Sequence, residues 1–201
     1  MTFIVASNNA KKLKEITNIL EGIGHDAVSA TEYALKSNPE ETADSFFGNA
    51  LIKAQAFKAL TPLGVIAEDS GLMVEALSGA PGVYTARYAG PNSTDEANID
   101  KLLEEMKTVE YDDRTAWFVS SVVTILPDGD IISALGYTRG RIGFEKRGSN
   151  GFGYDPVFYI QGNRSFAQLT DRQKNEISHR GRALRKLAFK LRKIRRMKGN
   201  I

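Results

Sequence analysis

The chain has 201 residues, of which 42% are apolar and 25% are charged, a balance typical of a globular protein rather than a disordered or fibrous one. It has no cysteine and only two histidines, which excludes disulfides, thiol catalysis and thiolate metal sites and argues against a zinc site. There is no apolar run near the roughly 20 residues that cross a bilayer, and the first residues lack a signal peptide's basic region. We therefore expect a cytoplasmic protein, in which any metal is a hard cation bound by carboxylates.

The chain begins with an expected strand, loop and helix. Residues 3–6 are apolar enough for a buried strand, and residues 11–21 have the apolar spacing of a helix. Between and after them come small polar residues and two lysines: Ser7, Asn8, Asn9, Ala10, Lys11 and Lys12. The free backbone N–H groups at such a helix start commonly bind phosphate, although the pattern is generic and no Walker loop occurs in the chain.

A second helix is expected over residues 43–60, and a second buried strand over residues 64–67. The strand is expected to end in an acidic turn that carries Glu68 and Asp69. Because adjacent side chains diverge on a turn, we expect one carboxylate to face the site and the other to be structural.

These acids form a candidate magnesium site. Carboxylates at the C-terminal end of a buried strand are held in place while the following loop is open to ligands, and Mg²⁺ needs only one or two of them. Glu40 or Glu41, in the loop before the second helix, could supply a second carboxylate beside Asp69. The alternative, that these acids cap helices or face solvent, stays open.

The remainder of the chain alternates strands and helices without a repeat or linker. The expected elements are a loop at 78–90, a helix at 95–107, strands at 114–126 and 130–138, a loop at 148–156 and a strand at 157–159. The turn Pro127-Asp128-Gly129 predicts a hairpin, and Thr170-x-x-Gln173 is a capping box. We predict one α/β unit with a mixed sheet flanked by helices, in two lobes around a substrate cleft.

The segment 180–198 holds ten Lys or Arg residues and no Asp or Glu. Its apolar residues recur at helical spacing: Leu184, Leu187, Ala188, Leu191 and Ile194. This predicts an amphipathic helix packed on the body of the protein with a solvated basic face. The alternative is that the basic residues bind nucleic acid or an anionic membrane.

The loop 151–156 has the composition of a base-binding segment. Its two glycines allow close backbone approach, and Phe152 offers a flat face for stacking, which distinguishes bases poorly. Selection is then expected from nearby hydrogen-bond donors: Lys174, Ser178, His179 and Arg180. Such donors are satisfied by the O6 of a keto purine but not by adenine's amino group. The structural alternative is that His179 and Arg180 are ordinary first-turn residues, although cations there oppose the helix dipole.

Five motifs, in this order, resemble those of the inosine triphosphate pyrophosphatase family, whose members are also called XTP/dITP diphosphatases. They lie at residues 7–12, 67–72, 79–88, 151–156 and 177–180. The resemblance covers residue 3 to about residue 191. It implies an elongated α/β homodimer with a deep cleft in each two-lobed subunit, and Mg²⁺-dependent hydrolysis of ITP, dITP and XTP to the monophosphate and pyrophosphate.

The resemblance also implies residue roles. Asp69 would be the catalytic base and a metal ligand, with Glu40 or Glu41 as the other carboxylate for one Mg²⁺ per site, or for Mn²⁺ in its place. The implied substrate-binding residues are Ser7, Asn8, Asn9, Ala10, Lys11, Lys12, Ser70, Phe152, Gly153, Tyr154, Asp155, Lys174, His179 and Arg180. Two positions depart from the family's usual pattern, since Asn8 replaces a glycine and Glu68 replaces an aspartate, so the role of Glu68 is open.

We therefore predict a single domain over residues 1–192, followed by a basic extension at 193–201, in an enzyme that cleanses the purine nucleotide pool. We expect a homodimer and no membrane or nucleic-acid partner. Rival readings are a septum-formation type pyrophosphatase, a general nucleotide phosphatase, or a non-catalytic nucleic-acid-binding protein. A Nudix hydrolase is disfavoured because Arg-Glu-x-x-Glu-Glu does not occur.

Overall fold

The structure is a computed structural model that describes residues 2–7, 9–22 and 24–198. Its α-helices and sheet strands have these bounds: β1 Thr2–Ala6, α1 Ala10–Gly22, β2 Asp26–Ser29, α2 Phe46–Lys58, β3 Gly64–Val74, α3 Asp95–Glu105, β4 Thr115–Ile125, β5 Ile131–Ile142, β6 Phe158–Ile160, β7 Arg164–Ser165, α4 Asp171–Ile177 and α5 His179–Lys198. Short 3₁₀ turns occur in several of the connections.

The strands form one mixed sheet in the order β2-β1-β3-β4-β5-β6-β7. Strand β1 pairs in parallel with β2 and β3, so that Val5 lies opposite Ser29 on one side and Ile66 on the other. Strand β6 pairs antiparallel with β5 and β7. The predicted class, a mixed α/β sheet flanked by helices, is confirmed.

Strand β3 is longer than the sequence predicted. It begins at Gly64 as expected, but it continues through Glu68 and Asp69 to Val74, so the expected acidic turn is wrong. Successive side chains of a strand point to opposite faces, so the two carboxylates still diverge, through the pleat rather than through a turn. Both carboxylates lie beside cationic side chains, which lets the strand carry two acids in its buried middle.

The chain divides into two compact units, and strands β3, β4 and β5 contribute residues to both. The first unit comprises Met1–Asp69, Ser120–Gly136 and His179–Ile201, and the second comprises Ser70–Val119 and Tyr137–Ser178. The proposed division at residue 192 is a separate matter and stays a prediction. Helix α5 itself runs through that position to Lys198.

In the first unit, apolar side chains pack on both faces of the sheet. On one face, residues of α1 and α5 pack with alternate strand residues, among them Phe3, Val5, Ile66 and Val122. On the other face, α2 packs with the intervening residues, among them Ile4, Val65, Ala67 and Val123. By the same alternation, Glu68 belongs to the α1 and α5 face and Asp69 to the α2 face.

The basic C-terminal segment is the amphipathic helix that its spacing predicted. Leu184, Leu187, Ala188 and Leu191 are buried in the core of the first unit, and Ile194 is partly buried against them. The basic residues Arg182, Arg185 and Lys190 lie on the exposed side. Among the described residues, no helix combines the length and apolar character needed to cross a membrane.

The second unit is built around three phenylalanines. The rings of Phe118 and Phe158 have centroids 4.5 Å apart, and both rings also contact Phe166. The buried guanidinium of Arg114 donates to backbone carbonyls of four residues: Met106, Val109, Ile142 and Gly143. This cation therefore fastens the segment after α3 to the end of β5.

Candidate active site

Asp69 is a buried carboxylate on the α2 face of β3. Its Oδ1 accepts a hydrogen bond from Lys53 Nζ at 2.8 Å, and the same ammonium lies 3.2 Å from Glu41 Oε1. Glu41 belongs to the loop before α2, while Glu40 is exposed. The structure thus brings together two of the predicted metal carboxylates, Asp69 and Glu41, on one positive charge.

Burial and ion pairing act in opposite directions on this pair. Burial lowers the pKa of Lys53, but the charges of Asp69, Glu41 and Glu68, with the Asp69 hydrogen bond, outweigh it and raise that pKa above its usual value. Burial raises the pKa of the Asp69 carboxyl by more than the charges of Lys53 and Lys12 lower it. An ionised Asp69 is therefore costly unless cations surround it.

The donor set around Asp69 fits magnesium. Mg²⁺ takes oxygen ligands, keeps several waters, and is commonly held by one or two carboxylates together with substrate phosphates. Asp69 and Glu41 already converge on the ammonium of Lys53, so their oxygens are aimed at a common positive charge. No group of three or more His, Cys, Asp or Glu residues gathers within the described part of the chain.

The predicted phosphate loop forms the capped start of α1. Asn9 Oδ1 accepts hydrogen bonds from the backbone N–H groups of Lys11 and Lys12 at 3.0 and 3.1 Å, and Ser7 Oγ accepts one from Asn9 N. Two of the backbone N–H groups that are predicted to bind a phosphate therefore donate to the Asn9 side chain in this structure, as in an ordinary N-cap. Asn8 lies outside the described residues.

Lys12 projects from the first turn of α1 toward β3. Its ammonium lies 3.2 Å from Glu68 Oε2, and Glu68 Oε1 accepts a hydrogen bond from Ser120 Oγ at 2.9 Å. Glu68 Oε1 also lies 3.2 Å from the Arg180 guanidinium, which forms a second ion pair with Glu15. Arg180 is therefore an inward-facing partner of two carboxylates.

The first turn of α5 lies directly against β5. A Cβ on Gly136 would meet His179 O at 2.1 Å and Ala183 N at 2.5 Å, so only glycine permits this approach. Both His179 and Arg180 are buried. The close contact with β5 thus positions the first turn of α5, which carries the predicted donors His179 and Arg180.

We expect Gly136→Ala to lower the free energy of unfolding by about 1–3 kcal/mol, because the added methyl group forces backbone atoms apart. Urea unfolding measures this. Gly22→Ala is the matched control, since a Cβ there meets nothing within 4 Å, and replacing a helical glycine should be neutral or stabilising. Equal stability of Gly136→Ala and the wild type would contradict this packing.

The second unit holds the predicted nucleoside residues around a buried ion pair. Lys174 Nζ donates to Asp155 Oδ2 at 2.7 Å, and the same oxygen accepts the backbone N–H of Phe152 at 2.9 Å. The ammonium also lies 4.8 Å from the centre of the Phe152 ring. A Cβ on Gly151, whose φ is +77°, would meet Asp155 Oδ2 at 2.0 Å, so this loop depends on glycine there.

Two further contacts hold the 151–156 loop. Gly153 N donates to Asp95 Oδ2 at 2.8 Å, which ties the loop to the start of α3. The hydroxyl of Tyr154 donates to Thr85 O at 3.0 Å. The capping box that Thr170 and Gln173 predicted is present at the start of α4, and Lys174 follows it directly.

Sequence reasoning missed four side chains that contact the predicted ones: Glu15, Lys53, Asp95 and Ser120. Of these, Lys53 had a signal, because it falls on the inward stripe of α2 with Ala50, Ala54 and Phe57. A lone cation on an apolar stripe requires a buried anion. The other three are ordinary polar residues whose partners are distant in the chain.

Comparisons with known proteins agree over nearly the whole chain. The sequence model of the Ham1 family matches residues 3–190. A protein named dITP/XTP pyrophosphatase from Exiguobacterium sibiricum is 44% identical over 93% of this chain and 95% of its own. One of the same name from Bacillus subtilis is 43% identical over 92% of this chain and 94% of its own.

Solved structures of Ham1 proteins also match this chain over nearly its whole length. The Ham1 protein of Staphylococcus aureus superposes with a TM-score of 0.84 at 39% identity, covering 96% of this chain and 98% of that one. A HAM1 protein of Coxiella burnetii gives a TM-score of 0.85 at 38% identity, over 96% of this chain and 99% of its own.

Proposed function

We propose, since the chain belongs to the Ham1 family, that it hydrolyses the non-standard purine triphosphates ITP, dITP and XTP to monophosphate and pyrophosphate. The observation that carries the proposal is its identity of 44% with a dITP/XTP pyrophosphatase over nearly the full length of both chains. The cluster of Asp69, Lys53 and Glu41 supplies chemistry suited to that reaction. Such an enzyme removes damaged purines from the nucleotide pool, which we propose it does in the cytoplasm.

In the proposed mechanism, the Asp69 carboxylate accepts a proton from a water molecule as that water attacks the α-phosphorus, and pyrophosphate leaves. Lys53 and Lys12 place positive charge where the triphosphate accumulates negative charge, which is the main source of rate in phosphoryl-type reactions. Magnesium held by Asp69 and Glu41 would supply further charge neutralisation when bound. The N-terminal loop from Ser7 would bind the phosphates.

For base selection, we propose that the purine stacks on Phe152, on the ring face away from Lys174. Ser70 and the loop residues Gly153, Tyr154 and Asp155 would contact the nucleoside. His179 and Arg180 would donate to the keto edge, so inosine and xanthosine bases satisfy them and adenine leaves a donor unpaired.

The decisive test is a panel of nucleoside triphosphates incubated with the protein and Mg²⁺, with the products resolved by chromatography. IMP and pyrophosphate from ITP, with much slower turnover of ATP, is the expected result. IDP and orthophosphate would instead identify a general nucleotide phosphatase, and turnover of standard bases at equal rates would remove the proposed selectivity.

We expect Glu41→Gln to raise the Mg²⁺ concentration needed for half-maximal activity by about tenfold, within the range of 10–100-fold seen when a metal's surroundings lose an interaction. Glu40→Gln is the matched control, because Glu40 is adjacent in sequence but exposed. Chelation by EDTA should abolish turnover in both. An unchanged Mg²⁺ requirement in Glu41→Gln, or an equal shift in Glu40→Gln, would contradict this assignment.

We also propose a homodimer. The second unit has an aromatic pair near its surface, in which the ring centroids of Trp117 and Tyr137 lie 5.7 Å apart in an edge-to-face arrangement and the Arg139 guanidinium lies over the Trp117 ring. Tyr137 is 49% exposed, and both residue types are enriched at interfaces. Sedimentation should show a dimer that Tyr137→Lys converts to monomer, whereas Phe189→Lys, at an exposed site on α5, should not. A monomeric wild type would contradict the proposal.

A further inference from the structure

Glu68 is a buried acid to which the proposed mechanism assigns no role. Its side chain is 1% exposed, yet it points away from the α2 face that holds Asp69 and Lys53. It contacts Lys12 through Oε2 at 3.2 Å, and Ser120 and Arg180 through Oε1. A carboxylate so well buried needs these partners, because an unpaired charge in such a place is very costly.

The cluster around Glu68 contains charges of both signs. Lys12 and Glu15 lie three residues apart on α1, and both point toward the same cluster as Arg180 and Glu68. Two cations and two anions therefore lie close together, with Glu68 and Arg180 buried and Lys12 and Glu15 partly exposed. The local charge changes when a triphosphate binds near Lys12, because several negative charges are added.

The ammonium of Lys12 cannot pair fully with both the Glu68 carboxylate and a bound phosphate. An ammonium that is 3.2 Å from a buried carboxylate has much of its field neutralised at distances beyond the pair. Opposite charges a few ångströms apart attract more strongly where water is partly excluded, so the affinity for phosphates depends on whether Lys12 faces Glu68 or a phosphate.

We propose that Glu68 is an internal counter-anion, a positioning residue. Its carboxylate pairs with the ammonium of Lys12 until the phosphates of the nucleotide take the place of the carboxylate beside that ammonium. This inference rests on the proposed function, in which Lys12 binds the phosphates. Glu68 then weakens the binding of the product pyrophosphate and favours its release. A purely structural Glu68 would have the opposite effect, since its loss would disorder Lys12 and weaken pyrophosphate binding.

The test is calorimetric titration of the whole protein with inorganic pyrophosphate in excess Mg²⁺. Glu68→Gln should bind pyrophosphate about tenfold more tightly than the wild type, the change that corresponds to one strong charge contact. Glu15→Gln is the matched variant, because it removes a carboxylate from the same cluster that pairs with Arg180. It should stay within about twofold of the wild type.

A double-mutant cycle with Lys12→Met shows whether Glu68 acts through Lys12. In the Lys12→Met background, Glu68→Gln should change pyrophosphate affinity by less than about twofold. If Glu68→Gln is too unstable to purify, Glu68→Asp takes its place. It keeps the charge but loses one methylene of reach toward Lys12, and a smaller tightening is expected.

Weaker or unchanged pyrophosphate binding in both Glu68 variants overturns the counter-anion role, as does a tenfold tightening that persists without Lys12. Turnover of ITP by the wild type, measured in parallel, separates this from the proposed function. This inference alone fails if the wild type converts ITP to IMP and pyrophosphate but the Glu68 variants bind pyrophosphate with the same affinity as the wild type. A wild type that binds pyrophosphate but does not hydrolyse ITP defeats the proposed function alone.

Discussion

Asp69→Asn is expected to lower kcat for ITP by about 10²–10⁴, the usual contribution of a positioned general base, while KM changes by less than about threefold. The physical reason is that Asn has the shape of Asp but cannot accept the proton of the attacking water. Steady-state kinetics on ITP, with pyrophosphate release followed directly, measures both constants. The loss should fall on kcat because the carboxylate acts in the transition state.

The control for Asp69→Asn is Asp26→Asn, the same chemical change at an exposed position at the start of β2, which should leave kcat unaltered. Urea unfolding of Asp69→Asn is measured beside the kinetics, because the substitution also removes one partner of the Lys53 ammonium; a cooperative transition near that of the wild type excludes loss of fold as the cause of a low kcat. Burial makes the pKa of Asp69 higher in the folded chain than in the unfolded chain, so its ionisation lowers stability as the pH rises through that interval. Asn carries no such charge, and a wild-type kcat in Asp69→Asn would remove Asp69 from the mechanism.

Much of the fold could be predicted from local patterns, because apolar spacing at periods of two and 3.6 residues specifies which face of each element is buried. The hairpin at residues 127–129, the capping box at Thr170 and the amphipathic α5 are present in the structure. The sequence predicts a strand that ends at residue 67, because Glu68 and Asp69 look like the end of an apolar run, whereas β3 continues to Val74. Their cationic partners come from α1, α2 and α5, which a local pattern cannot show.

The contacts among the candidate site residues could not be predicted from the sequence, and the roles of these residues stay predictions. The sequence predicts Asp69 with either Glu40 or Glu41 as carboxylates for one cation, and the Lys53 ammonium that contacts both Asp69 and Glu41 belongs to the middle of α2. Arg180, whose predicted role as a donor to the base stays a prediction, forms an ion pair with Glu15, 165 positions earlier in the chain. Charge pairing over such separations depends on how the sheet and helices pack, and that information is not local.

Asp155→Ala is expected to lower the free energy of unfolding by about 3–5 kcal/mol, the usual result of removing one partner of a buried ion pair. Asp155 is 2% exposed, and one of its carboxylate oxygens, Oδ2, accepts hydrogen bonds from both Lys174 Nζ and the N–H of Phe152. Its loss leaves a buried ammonium without that anion and releases the loop that carries Phe152. Urea unfolding measures the change, and Asp171→Ala at the solvent-exposed start of α4 is the control.

A second variant separates what this pair does for stability from what it does for the nucleotide. Asp155→Asn combined with Lys174→Met removes both charges of this pair, and the Asn oxygen can still accept the N–H of Phe152. Because a buried ion pair replaced as a unit is often neutral in stability, most of the unfolding free energy should return. Activity toward ITP should not return if Lys174 binds the nucleoside. Recovery of both would make the pair purely structural, whereas recovery of stability alone places Lys174 among the residues that hold the substrate.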